Sequence, residues 1–181
     1  HRNTYGRIAA LADAERRARN MASLDSLTGL FNRRHFDGEF ARLLEEGTDV
    51  SLILIDLDDF KSINDAHGHT FGDEVLKNIA AAIRRAVRKD DLPCRVGGDE
   101  FAVLLPSCPG KNGRMIAENI CRQVGSRAPV AGISIGFTFS PGGEAPEDVF
   151  NRADKALYCA KARGKGRIVS CLEPASEGGP A

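Results

Sequence analysis

Two groups of carboxylates stand where they could do chemistry. Asp99 and Glu100 follow a glycine pair in Arg95-Val96-Gly97-Gly98-Asp99-Glu100-Phe101, and Asp56, Asp58 and Asp59 end the most hydrophobic run of the chain. Carboxylates are hard oxygen donors, the kind a magnesium ion takes one or two at a time while leaving its other positions to phosphate and water. Carried on the ends of rigid strands, Asp56 and Asp99 can supply such donors together. Each group by itself reads equally well as a solvated acidic turn. The glycines add a second property. Without side chains they let a large ligand lie against the backbone, and they reach the positive φ of a tight hairpin turn.

The glycine pair lies between two strand-like segments, 92–96 and 101–105, so a hairpin would present Asp99 and Glu100 at its lip. The run 51–55 is apolar throughout, the pattern of a central strand buried on both faces, with Asp56 at its carboxyl end. By the period of two, Asp58 projects to the same face as Asp56 and Asp59 to the other. A loop over 25–32 leads to a helix over 33–46 with Phe36, Phe40, Leu43 and Leu44 on its apolar face. Residues 60–66 allow one or two helical turns. A long helix over 70–88 follows, opened by a Thr70–Asp73 capping pair and striped by Val75, Leu76, Ile79, Ile83, Ala86 and Val87. The spacing predicts another helix over 111–123 with Met115, Ile116, Ile120 and Val124 inward, and a last one opened by Pro146 with Phe150, Ala153, Leu157 and Ala160 buried. Strands over 130–139, kinked at Gly136, and over 167–171 complete the set. The alternation gives an α+β domain, a mainly antiparallel sheet with helices outside.

The 181 residues suffice for one domain with a substantial core and an appendage. Twenty-five basic and 25 acidic residues cancel, which argues against generic attraction to nucleic acid or to an anionic membrane. No apolar run is long enough to span a bilayer, and no secretory signal is visible. The chain opens at His1, which reads as a fragment of something longer. Five cysteines (Cys94, Cys108, Cys121, Cys159 and Cys171) without a C-x-x-C pair argue for reduced thiols in a cytoplasmic domain. Residues 4–24 read as a helix with a heptad-like seam of Ile8, Leu11, Ala18 and Ala22, interrupted by Glu15. The expected division is a linker helix over 1–24, a domain over 25–172 and a disordered polar tail over 173–181.

Gly97-Gly98-Asp99-Glu100-Phe101 resembles the defining motif of the GGDEF-domain diguanylate cyclases. The resemblance extends to Asp25-Ser-Leu-Thr-Gly-Leu-Phe-Asn-Arg-Arg34, Asp56-Leu-Asp-Asp-Phe-Lys-Ser-Ile-Asn-Asp65, His67-Gly-His-Thr-Phe-Gly-Asp73 and Ala153-Asp-Lys-Ala-Leu-Tyr-Cys-Ala-Lys161, all in the family's order. It implies a five-stranded nucleotidyl-cyclase sheet related to the polymerase palm, with the segment opened by Asp25 packed beside the hairpin, where Asp25 is suited to pair with Arg95 in a structural role. It also implies the condensation of two GTP into cyclic di-GMP by a transient homodimer, coupled through the N-terminal helix to an upstream sensor or receiver domain.

The same resemblance assigns Asp56, Asp99 and the Leu57 carbonyl to a magnesium or manganese ion. Glu100 would complete the metal site or help remove the 3′-hydroxyl proton. Phe60, Lys61, Asn64, Asp73, Gly98, Lys161 and Lys165 become contacts to GTP, with Asn64 and Asp73 on guanine and the lysines on phosphate. Taken singly, Asn64 also reads as a turn cap, Asp73 as a helix cap, and Lys61, Lys161 and Lys165 as ordinary surface or helix-end lysines. Lys165 stands where the family often has arginine, and Gly166 where it has asparagine, so a bidentate contact is lost. His67 and His69 lack a third ligand and read as structural. Arg88 and Asp91 match the spacing of the family's product-inhibition site, whose further arginine is replaced by Asn119, with Arg122 or Arg114 as substitutes. A non-catalytic GGDEF module is the rival reading, disfavoured by intact Asp56, Asn64, Asp73, Asp99 and Glu100. A cyclase of mixed base choice is disfavoured by Asp73.

Overall fold

The longest apolar run forms the centre of the sheet. In the structure, a computed structural model describing residues 23–171, β2 (Val50–Leu57) is buried along its whole length. It pairs antiparallel with β4 (Glu100–Pro106) on one side and β5 (Ile133–Ser140) on the other. β3 (Leu92–Arg95) pairs antiparallel with β4 as the expected hairpin. At the edges, β1 (Phe31–Asn32) runs parallel to β3 and β6 (Ile168–Cys171) parallel to β5, giving the order β1-β3-β4-β2-β5-β6. The sheet thus has six strands where five were expected. The two-residue β1 is too short to leave a sequence pattern and exists through its pairing with Cys94 and Arg95.

Alternation along β2 builds a core on each face. Ile53, Ile55 and Leu57, with Phe101 and Val103, pack under α3 (His69–Ala86) and α4 (Gly110–Arg127). Val50, Leu52 and Leu54, with Ala102 and Leu104, pack under α1 (Arg33–Glu45) and α5 (Pro146–Ala162). The same parity puts Asp56 on the α5 face. Between the faces, the short α2 (Phe60–His67) joins β2 to α3.

Several expectations change. The Thr70–Asp73 cap does not form: α3 starts at His69 from Gly68, with no side-chain cap, so both residues lie inside the helix. The helix ends at Ala86 and not at Arg88. Met115 is exposed, because the inner stripe of α4 runs Gly113, Ala117, Ile120 and Val124 and leaves Met115 off it. Val130 precedes β5 and is exposed. β5 pairs with β2 without interruption through Gly136. A side chain there would run into the Ala153 carbonyl and the Leu157 amide of α5. The helix expected over 4–24 and the tail over 173–181 lie outside the described residues, save that Leu24 forms an isolated bridge to Phe31. Among the described residues, no helix is long and apolar enough to cross a membrane.

Candidate active site

The two acidic groups meet at one end of the sheet. Asp56 and Glu100 are direct partners in the β2–β4 ladder, and their side chains share a face. The Leu57 N–H donates to the Asp99 carbonyl at 3.2 Å, which ties the end of β2 to the hairpin. The turn itself differs in mechanism from the sequence expectation. Neither Gly97 nor Gly98 has a left-handed φ. A Cβ on Gly97 would overlap the Glu100 carboxylate, whereas one on Gly98 would meet nothing within 4 Å. Gly97 makes room for a side chain of the chain itself, and Gly98 leaves open space.

Arg95 holds this turn in shape. Its Nη2 donates to the Gly98 carbonyl at 2.7 Å and its Nη1 to Asp25 at 3.2 Å. Asp25 in turn accepts from the Thr28 N–H at 2.9 Å and the Thr28 hydroxyl at 2.6 Å. Burial works against the charge on Asp25. The Thr28 bonds and Arg95 outweigh it and hold the carboxyl below its ordinary range.

Asp56 is nearly buried, and burial raises its pKa despite the lowering effect of Lys161; the charges of Asp99 and Asp58 add to the rise. Lys161 Nζ lies 2.7 Å from Asp56 Oδ2. Lys165 Nζ lies 2.6 Å from Asp59 Oδ1. The two lysines therefore sit on the carboxylates of the β2–α2 turn. Asp58 serves that turn, accepting from the Ser134 hydroxyl at 2.7 Å and the Gly166 N–H at 3.0 Å. Asp59 and Lys165, with φ of 55° and 60°, are held in the left-handed region on either side of their ion pair. Among the described residues no three metal-ligating side chains converge. The donor set still fits a divalent cation: the hard-oxygen carboxylate of Asp56, with the charges of Asp99 and Asp58 near enough to act on it and an ammonium already against it.

Beside these acids opens a cleft of about 380 Å³, walled by Phe60, Lys61, Asn64, Asp65, His69, Asp73, Leu76, Arg95, Gly98 and Asp99. It gathers most of the expected GTP contacts. Lys161 and Lys165 are not among its lining residues. Asn64 Oδ1 is buried without a hydrogen-bond partner, a costly state for an acceptor. A Cβ at Gly72 would overlap that oxygen, so glycine there is what lets Asn64 sit at the wall. Asp73, one turn into α3, shares this wall.

The motif, its hairpin and this cleft belong together in one known family. A family model described as "Diguanylate cyclase, GGDEF domain" matches residues 22–167. The chain belongs to the GGDEF domain family. Response regulator PleD of Caulobacter vibrioides is 43% identical over 163 residues, which are 82% of this chain and 36% of PleD. Diguanylate cyclase VdcA of Vibrio cholerae is 34% identical over 172 residues, 90% of this chain and 51% of VdcA. The chain thus spans about a third to a half of these relatives' length. The coiled coil and GGDEF domain of DgcB from Caulobacter crescentus, solved in complex with c-di-GMP, superposes with a TM-score of 0.83 at 31% identity, covering 93% of this chain and 96% of that one.

Away from the cleft of this GGDEF domain lie Arg88 and Asp91, beyond the far end of α3. The rise per residue sets that end about 20 Å from Asp73. Asp91 is buried, and its Oδ2 accepts the Arg88 backbone N–H at 2.6 Å, so this carboxylate shapes its own turn. Arg88 is exposed and lines a groove of about 460 Å³ with Asn119 and Arg122. Asn119 Nδ2 donates to the Ala86 carbonyl at 3.4 Å and its Oδ1 accepts from Arg122. Arg114 is engaged with Glu118 and Ser170, which leaves Arg122 as the arginine on Arg88's groove.

Sequence reasoning missed the shaping role of Arg95 on Gly98, the place of Asp65, His69 and Leu76 on the cleft wall, and Gly72 as the room for Asn64. Only Gly72 had a local signal, being a glycine inside a strongly patterned helix.

Proposed function

We propose that this chain is a diguanylate cyclase domain that joins two GTP into cyclic di-GMP. The carrying observation is the cleft beside the acidic hairpin, which brings Asn64 and Asp73 onto one wall. An amide and a carboxylate on one wall suit a base edge that offers N–H donors. Guanine has such an edge in its N1–H and exocyclic amino group. With the base held there by Asn64 and Asp73, Phe60 packs beside it, Lys61 lies toward the phosphates, and the open backbone at Gly98 admits the sugar and triphosphate.

In each half-reaction the 3′-hydroxyl of one GTP attacks the α-phosphorus of the other. The bond from that phosphorus to the bridging oxygen breaks, pyrophosphate leaves, and the hydroxyl proton departs. Two half-reactions close the ring and release two pyrophosphates. Asp56, Asp99 and the Leu57 carbonyl would hold magnesium or manganese, which offsets phosphate charge and polarises the α-phosphate. Glu100, exposed beside them, takes the proton or completes the metal site. Lys161 and Lys165 neutralise the triphosphate from the end of α5.

One cleft holds one GTP, so two protomers must face each other. We assign residues 1–24 to the link that brings them together under an upstream sensor or receiver domain, residues 25–172 to the cyclase, and 173–181 to a tail. Product inhibition is assigned to Arg88, with Arg122 in place of the missing arginine and Asp91 as acceptor or as the brace of the Arg88 backbone. The test is pyrophosphate release from GTP and magnesium across a protein dilution series. The rate per protein should rise with protein concentration. No release at any concentration would sink the cyclase reading.

A further inference from the structure

We propose that Lys161 is a resident counter-ion of Asp56 which a divalent cation must displace, so that the domain takes metal and triphosphate together and metal alone only weakly. This deepens the proposed function and rests on its assignment of Asp56 to the metal.

The geometry separates a fixed partner from a movable one. Asp56 is held on β2 between β4 and β5, with its side chain 11% exposed. Lys161 is 39% exposed and reaches Asp56 from the last turn of α5, which Leu157 and Ala160 anchor in the core. Its flexible four-carbon stem can swing the ammonium away while the helix stays in place.

The charges explain why an ammonium sits there. Asp99 and Asp58 both act on Asp56 through their charge. A divalent cation satisfies more of this negative charge than one ammonium, and the two cations repel each other when both are drawn to Asp56. A metal arriving alone therefore breaks an ion pair and leaves Lys161 beside a second positive charge. A metal arriving with a triphosphate gives Lys161 a new anion. The two ligands then favour each other, reciprocally, through Lys161. Lys165 gives a graded comparison: its ion-pair partner is Asp59, 64% exposed, and the charge of Asp56 acts on it less than Asp59 and Asp58 do.

The test follows Mn²⁺ binding to the full chain by loss of the free-ion EPR signal, at mildly alkaline pH and without nucleotide. Lys161→Met should bind Mn²⁺ about tenfold tighter than the parent. Lys165→Met should tighten Mn²⁺ binding far less than Lys161→Met does. A non-reactive GTP analogue should tighten Mn²⁺ binding in the parent and do so far less in Lys161→Met. Lys161→Gln repeats the test if the methionine variant fails a circular-dichroism check of its fold. If Asp56→Asn weakens Mn²⁺ binding but neither Lys161 variant tightens it, the displacement proposal is wrong and the metal assignment stands. If Asp56→Asn leaves Mn²⁺ binding unchanged, the assignment of Asp56 fails and the proposal fails with it.

Discussion

Replacing Asn64 by leucine should make the protein more stable and less able to bind GTP. The substitution is close to isosteric and removes a buried acceptor that has no partner. Leaving such a group unsatisfied costs about 1–3 kcal/mol, so its removal should return about 1 kcal/mol once the imperfect fit of leucine against Gly72 and Phe60 is counted. For a chain of this size that is a rise of about 2–4 °C in Tm. With GTP present the sign reverses. The parent keeps an amide on the cleft wall that can hydrogen-bond the base, and the variant does not, which weakens GTP binding about tenfold or more. Differential scanning fluorimetry with and without a non-reactive GTP analogue reads both effects. A lower Tm for the nucleotide-free variant, or an equal analogue-induced shift in the two proteins, would refute the claim that Asn64 is held for a ligand.

Glu100→Gln should lower turnover by about a hundredfold or more while leaving the fold intact, because it keeps size but removes the charge needed for the metal or proton; near-parent rates at saturating GTP and magnesium would remove Glu100 from the mechanism. Asp73→Ala should blunt the choice of GTP over ATP more than it weakens triphosphate binding, and competition kinetics that still favour GTP as sharply would leave Asp73 without a role in base reading. Arg88→Ala should relieve inhibition by added cyclic di-GMP without lowering the initial rate; purely competitive inhibition in the parent would contradict the remote site. Asp25 has a depressed pKa in the fold, so its stabilisation is complete above its unfolded value near 3.8 and is lost as pH falls through the lower folded value. Asp56 and Asp91 run the other way, because burial raises them. The informative quantity is therefore the stability gap between parent and Asp25→Asn, which should be present at about pH 7 and close toward about pH 3; a gap independent of pH would show that the charge of Asp25 contributes nothing.

What could be read in the sequence was whatever a local pattern encodes. The apolar run ending at Asp56, the paired strands around Gly97-Gly98, and the stripes of the long helices each became the expected element. The Asp25–Arg95 pair was also legible, because both residues fall in motifs that resemble one family. What escaped depends on parts of the chain that meet only in the fold. Lys165 and Asp59 are 106 residues apart, and no periodicity links them. β1 exists only because β3 offers it an edge. The reason for Gly97 was misread for the same cause: a tight turn suggests a left-handed glycine, but the constraint is the Glu100 carboxylate lying over it. The unmet acceptor on Asn64 requires knowing every neighbour of one oxygen, which no reading of residue types supplies.

The most direct test of the account is to incubate the full chain with magnesium and an equimolar mixture of GTP and ATP, and to identify the products by mass spectrometry. The account predicts a cyclic dinucleotide containing two guanines, with two pyrophosphates released for each, and ATP left unchanged. Unconsumed GTP, a linear product, or a dinucleotide containing adenine would contradict it.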